Sequence, residues 1–344
     1  MKIRQLWFTD SHKVEIRESQ LDSLRPDQVL VKNLYSAISS GTELLLYRGQ
    51  IPDSLALDEN LEAYKHADNS FPLQYGYSSV GIIEDIGKEV GKFWQGKTVF
   101  GFQPHASHTL CNSDQLLIVP EDVDPQAAVF FANMETAVNL VHDGNPRLGD
   151  KCVVIGQGII GLLTTSLLRL FPLAGNWAVE NLEMRQEKSK QLGISGVYSS
   201  IPEQSIDTLK KQIGIEDGEG GADIVFELSG SPAALNLALE LTAYGGRIVV
   251  GSWYGNKTAE ISLGEKFHRN RISIISSQVS TIAPEISGRW NKPRRYEQTW
   301  EMLKKVKPQQ FISHAMSIDS AAEAYQLLDK SPEQALQVVF DYLA

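Results

Sequence analysis

Apolar positions in the first third of the chain fall in short runs, at 28–33, 79–85, 98–101 and 115–119, with Gly, Pro and Asp in the gaps. Runs of this kind between turn formers predict an irregular, β-rich region over residues 1–122. From about residue 123 the texture changes. Buried-strand candidates at 151–155, 177–180, 224–228, 247–251 and 272–276 now alternate with, or follow, helical stretches at 124–141, 159–169, 185–191 and 232–243. Continuous apolar strands separated by helices indicate βαβ units, because a parallel sheet is covered on both faces and needs a long crossover between neighbours. After residue 282 a charged, Trp-containing segment, 289–295, leads into a helix at 295–305 and a closing strand-helix-strand pattern. With no internal repeat to continue, this tail is expected to return and complete the first domain. The reading is an α/β protein with a β-rich domain (1–122 with 283–344) and a doubly wound parallel-sheet domain (123–282).

Composition narrows the function. The chain has 344 residues, 42% hydrophobic and 22% charged, which suits two folded cores and leaves no room for a long disordered region. A formal net charge of −10 repels phosphate backbones and anionic lipid, so neither nucleic acid nor membrane is an expected partner. The first residues lack an apolar signal core and no window is long and apolar enough to span a bilayer, so a cytoplasmic location is expected. Cys111 and Cys152, each in an apolar strand-like run, are expected to be reduced and packed.

The strongest chemical signal is the strand Lys151-Cys-Val-Val-Ile155 followed by Gly156-Gln-Gly158-Ile159-Ile160-Gly161 and an apolar helix. GxGxxG alone is weak, but strand, glycines and helix occur here in the order a dinucleotide site requires. Gly156 permits the tight turn, Gly158 clears the approach of a pyrophosphate, and Gly161 lets helix pack on strand, while amides at the helix start face the phosphates. Glu180 lies 19 positions beyond Gly161, close to the offset at which a carboxylate accepts the adenosine ribose hydroxyls. A carboxylate there repels a 2′-phosphate, so NAD is favoured. Arg185 could lie over the adenine or reach a phosphate, which keeps NADP open. Ser229, Gly251 and Ser252 close two further buried strands in small residues, where the carboxyl edge of a sheet meets its ligand.

Gly41-Thr42-Glu43, the glycine motif near residue 76, Thr136, the fingerprint and Gly-Ser-Pro-Ala-Ala-Leu-Asn at 230–236 appear in an order that resembles the medium-chain dehydrogenase/reductase superfamily over essentially the full chain. The resemblance implies a GroES-like catalytic domain built from both ends of the chain, a Rossmann domain between them, and Thr136 beside the nicotinamide. Ser36-Ala-Ile-Ser-Ser-Gly-Thr-Glu43 with Tyr47-Arg-Gly-Gln-Ile-Pro52 is most similar to a subgroup containing bacteriochlorophyllide hydroxyethyl dehydrogenases. Zinc-dependent members hold the metal through a Cys, a Gly-His-Glu segment and a further Cys or Glu. Ser40, Gly76-Tyr77-Ser78 and Ala132 stand at those places, and they do not supply three good donors. No zinc is expected, with an unrelated site from His105, His108 and Glu135 as the alternative.

Without a metal, hydrogen-bond donors must hold a developing alkoxide or enolate. Tyr77, Thr42 and Ser40 are the candidates, Tyr77 first because a phenol can bond an oxyanion and pass on its proton. His108 could relay a proton and Glu135 could act as a base, each against a structural role. By the same resemblance Glu43 stands where relatives pair an acid with a basic residue near the C-terminus; Gln337 occupies the partner's place, which puts the ion pair in doubt and favours a structural Glu43. The leading reading is hydride transfer between a secondary alcohol and its ketone. The alternatives are enone or quinone reduction on the same fold, and a cofactor-binding protein without efficient turnover. An apolar edge strand at 271–276 invites pairing with a second copy, so a homodimer is expected.

Overall fold

The computed structural model describes residues 1–52, 70–216 and 219–343. Its contacts divide the chain into two compact units, Met1–Ala132 with Leu303–Ala344, and Asn133–Met302. The domain edges expected at 122/123 and 282/283 therefore lie ten and twenty residues before the observed divisions. Residues 123–132 stay with the first unit because Ser78 donates to the Val129 carbonyl and Phe131 packs on Phe100, ring centroids 4.9 Å apart. Residues 283–302 stay with the second because Arg295 reaches the carbonyls of Val279 and Thr281 and the side chains of Glu135 and Asn139.

The first unit is organised by the strand Gln28–Ala37. It pairs antiparallel with Ser79–Ile86, with His108–Asn112 and, at its end, with Gln337–Asp341, where Val339 faces Ala37 and Phe340 faces Ser36. The C-terminal segment thus returns to the N-terminal region through backbone pairing. A hairpin of Lys2–Asp10 and Lys13–Gln20 adds a second small sheet. Leu6, Phe8, Ile38, Leu45, Tyr325 and Phe340 share one core, and each side chain so removed from water contributes on the order of 1.5–3 kcal/mol. The short helix Ser40–Tyr47 rests on this core through Leu44, Leu45, Leu46 and Tyr47, which fixes the residues at its start.

The second unit holds one parallel sheet in the order Gly196–Tyr198, Gly175–Val179, Lys151–Ile155, Ala222–Glu227, Thr242–Val250 and Ser273–Ser276. This is the doubly wound dinucleotide order, reversing direction of progress between Lys151–Ile155 and Ala222–Glu227. Five of these strands were predicted. The sixth, Gly196–Tyr198, and the helix Glu203–Gln212 were not, because a three-residue, half-buried strand leaves almost no periodic signal. The expected helix at 124–141 is two helices, Pro125–Ala128 and Phe131–Gly144, the first capped by Asp124. Cys111 and Cys152 are buried free thiols, and burial pushes the Cys111 thiol up to about 12. Among the described residues, no helix is long and apolar enough to cross a membrane.

Candidate functional site

Three glycines of the second unit answer to different constraints. Gly156 has φ +89°, and a Cβ there would come within 2.6 Å of the Ser229 Cα. A Cβ on Gly161 would collide with the Gly156 carbonyl oxygen. Both residues are required by the protein's own packing. At Gly158 a Cβ would meet only the Arg185 Nη1, 3.9 Å away, so nothing in the chain crowds that position. The helix Ile159–Leu168 begins here, and among the described residues no side chain caps its first amides. An open glycine before uncapped amides is a cradle whose shape and polarity fit a dinucleotide diphosphate.

Glu180, buried to 8% exposure, ends the neighbouring strand. One carboxylate oxygen accepts the Gln157 amide at 2.8 Å, and the other accepts the amides of Asn181 and Leu182 at 2.8 and 3.0 Å. The carboxylate therefore ties the glycine turn to its own turn while keeping lone-pair capacity for a hydroxyl. The Arg185 Nη1 lies 4.0 Å from Glu180, and burial lowers the guanidinium's pKa while Glu180 opposes. Among the described residues the buried Arg185 Nε has no hydrogen-bond partner. Gln157, fully buried, accepts from Thr165 and Ser189 through its amide oxygen, stitching the turn to two helices.

Ile159 and Ile160 open the helix, the first buried and the second half-buried. At the same carboxyl edge, Ser229 is exposed, and the Ser252 hydroxyl accepts the Gly230 amide at 2.9 Å. Gly251 is held by packing, since a Cβ there would lie 2.6 Å from Leu228 and 2.7 Å from Leu140. Thr136 is the one residue of the first ten in its helix that is not buried.

In the first unit the structure brings Tyr77 and Thr42 together. The Tyr77 hydroxyl donates to the Thr42 Oγ1 at 3.3 Å and shares a short hydrogen bond with the Ser39 hydroxyl. All three side chains are half-buried. Ser40 makes none of these bonds, and Ser39, which was not singled out in the sequence, takes its place. The carboxylate of Glu43, fully buried, accepts the Ser39 amide at 2.7 Å and so orients the start of the helix.

Gln337 does not pair with Glu43: it donates to the carbonyls of Ile38 and Val338. The partners of Glu43 are Tyr325 and His105, the latter with Nε2 at 3.0 Å and Nδ1 2.7 Å from the Ser36 hydroxyl. His105 is wholly buried, as a histidine with both nitrogens satisfied can be. His108 sits on the strand His108–Asn112 beside Ser107 and 3.8 Å from Glu84, with no bond to the Tyr77 group. Burial lowers its pKa, with Glu84 opposing.

Glu135 belongs to a buried ion pair. One carboxylate oxygen receives the Nε and Nη2 of Arg295 at 3.0 and 2.6 Å, and Arg295 is fully buried. Burial raises the Glu135 pKa and the guanidinium opposes it. A carboxylate tied up this way closes packing and is not poised as a base. Ser40, Tyr77 and Ala132 are too poor a donor set for a catalytic zinc. Among the described residues, no group of three His, Cys, Asp or Glu could hold a metal.

Residues 160–304 match the family model described as zinc-binding dehydrogenase. D-Guloside 3-dehydrogenase of Escherichia coli K12 is 25% identical, covering 98% of this chain and 99% of its own. (R,R)-Butanediol dehydrogenase of Bacillus subtilis is 29% identical, covering 78% and 81%. A solved Escherichia coli CFT073 structure, described as a short chain alcohol dehydrogenase complexed with NADH, superposes with a TM-score of 0.78 at 18% identity, covering 99% of both chains. These likenesses support the medium-chain, zinc-type alcohol dehydrogenase-like superfamily as the class of this chain. The chain is thus similar to alcohol dehydrogenase-like oxidoreductases over nearly its full length.

Proposed function

We propose that the protein binds NAD, and less well NADP, and transfers hydride between a secondary alcohol and its ketone without zinc. The observation that carries this reading is the glycine turn of the doubly wound sheet, open at Gly158 and closed at its far side by Glu180. Gly156, Gly158, Ile159, Ile160 and Gly161 take the diphosphate, Glu180 and Arg185 the adenosine ribose, and Thr136, Ser229, Gly251 and Ser252 the nicotinamide half. The names of the relatives support an alcohol or polyol as substrate. The likeness of segments 36–43 and 47–52 to the bacteriochlorophyllide hydroxyethyl dehydrogenase subgroup favours a bulky one.

The bound nicotinamide supplies or accepts the hydride. The oxygen of the ketone must gain a proton as its carbon gains hydride, and Tyr77 is the donor, held by Ser39 and Thr42. In the oxidative direction the Tyr77 phenolate, held by the Ser39 and Thr42 hydroxyls, takes the alcohol proton and becomes the phenol again. His108 and Glu135 take no part in this reading. The edge strand Ser273–Ser276, with Ile274 39% exposed, is the proposed seam of a homodimer, and the cytoplasm the proposed location.

Calorimetry with NAD(H) and NADP(H), followed by a screen of secondary alcohols and enones at the nicotinamide absorbance band, tests the proposal. Micromolar NAD(H) binding and turnover of alcohols by metal-free protein are expected. No heat at millimolar cofactor would remove the cofactor reading, and turnover of enones alone would replace the alcohol reading.

A further inference from the structure

The second unit contains a buried carboxylate that none of the roles above uses. Glu227 is the last residue of the strand Ala222–Glu227 and is fully buried. It stands opposite Ile155, the residue before the glycine turn, on one side, and opposite Val250 on the other. One of its oxygens accepts the Ser229 amide at 2.9 Å and the Ser229 hydroxyl, and the other accepts the Tyr254 hydroxyl at 2.6 Å. The carboxylate thus points past the carboxyl edge of the sheet and ties together the turns that follow two adjacent strands. The packing of Ser229 against Gly156 places this knot against the glycine turn.

Among the described residues no cation pairs with this carboxylate; the exposed Lys257 donates its Nζ to the neighbouring Gly230 carbonyl at 2.9 Å. Ion pairs of this unit include Arg185 with Glu180, Lys190 with Glu187, Lys210 with Glu240 and Arg295 with Glu135, and none reaches Glu227 among the described residues. Three hydrogen bonds stabilise the charge without neutralising it, and a fully buried carboxylate usually has a positive partner. Glu227 lies across the reversal of strand order from Glu180, on the half of the sheet that takes the second nucleotide of a dinucleotide. In the oxidised cofactor that nucleotide carries a positive ring; in the reduced cofactor the ring is neutral.

We propose that Glu227 is a specificity-determining residue for cofactor oxidation state: its buried carboxylate, which no described residue meets in an ion pair, favours NAD⁺ over NADH, and Ser229 and Tyr254 hold it in place. The proposal rests on the dinucleotide reading given above. The attraction of a fixed charge for a cationic ring is felt across several ångströms in a low-dielectric edge, and a differential effect of roughly tenfold is expected. Changes to hydrogen bonding alone act on both forms of the cofactor alike.

The test is calorimetric titration of the full chain with NAD⁺ and with NADH. In Glu227→Gln, which keeps the shape and removes the charge, NAD⁺ binding is expected to weaken about tenfold and NADH binding to stay within about twofold. Glu227→Asp keeps the charge and should retain most of the wild-type ratio. Equal weakening of both forms, or no change in either, overturns the proposal while leaving the cofactor reading standing; failure of the wild-type protein to bind either form overturns the cofactor reading itself. Where Glu227→Gln does not fold, the wild-type protein decides. NAD⁺ should bind about tenfold tighter than benzamide adenine dinucleotide, whose ring has the same shape and no charge, and equal affinities overturn the proposal.

Discussion

The glycine turn of the second unit and the hydroxyl group of the first are made of opposite materials. Around Gly156, Gly158 and Gly161 the working groups are backbone amides and empty space, and side chains such as Gln157 and Glu180 serve to hold the backbone. Around Tyr77 the proposed groups are side-chain hydroxyls, and a buried carboxylate, Glu43, fixes the backbone at Ser39. A backbone site depends on local spacing and tolerates little change in it. A side-chain site depends on contacts between distant segments, so single atoms can be removed from it without refolding the chain.

That difference is sharpest at Tyr77. Replacing Tyr77 with Phe removes one oxygen, and kcat should fall by roughly 10²- to 10⁴-fold while the Kd for NAD⁺ stays unchanged. Steady-state kinetics beside calorimetry separate the two quantities, and an unaltered kcat would remove Tyr77 from the chemistry.

Glu135 sharpens the contrast from the other side, because the geometry makes it part of the frame. Arg295→Met leaves a carboxylate buried without its cation, and chemical denaturation should show a loss of about 3–5 kcal/mol. The double variant Glu135→Leu with Arg295→Met should recover much of it. Glu135→Gln should keep kcat per folded molecule, and a folded Glu135→Gln protein without activity would restore Glu135 as a base.

Gly158 provides the matching test of the backbone site. Gly158→Val fills a position that the protein leaves open, so thermal unfolding should change little while NAD⁺ binding weakens by roughly a hundredfold, about 2.7 kcal/mol. The same change at Gly161 should lower the melting temperature as well, because that Cβ collides with backbone. Unchanged NAD⁺ affinity in Gly158→Val would break the comparison.

How much the sequence showed follows the same divide. Four of the five strands predicted for the second unit overlap observed ones with edges shifted by a residue or more, and Lys151–Ile155 has the predicted limits, because buried parallel strands are continuous apolar runs. The turn and the position of Glu180 were legible because both follow from spacing along one βαβ unit. The partners of Glu43 were not. His105 and Tyr325 lie 62 and 282 positions away, and only the folded sheet brings them to it. Ser39 went unnoticed beside Ser40 for the same reason, since which of two neighbouring serines faces Tyr77 is set by where the helix Ser40–Tyr47 begins. Glu227 did leave a trace, an acid directly after the apolar run 224–226.

The smallest expected effect concerns the frame of the second unit. His142, on the helix that carries Glu135, packs against Trp290 with ring centroids 4.4 Å apart, and its pKa is lowered to about 4, chiefly by burial and then by Arg295 and Arg294. In the unfolded chain the imidazole titrates near 6.5. Between these values the unfolded state binds the proton and the folded state does not, so lowering the pH through this window favours unfolding. Stability should fall by roughly 1–2 kcal/mol from pH 7 to pH 5 through this group, after allowance for solvent screening. Asp143, whose pKa burial raises, works in the opposite direction and titrates in both wild type and variant. The difference in denaturation midpoints between wild type and His142→Gln therefore isolates the histidine, and parallel pH dependences in the two proteins would show that His142 is not buried in its neutral form.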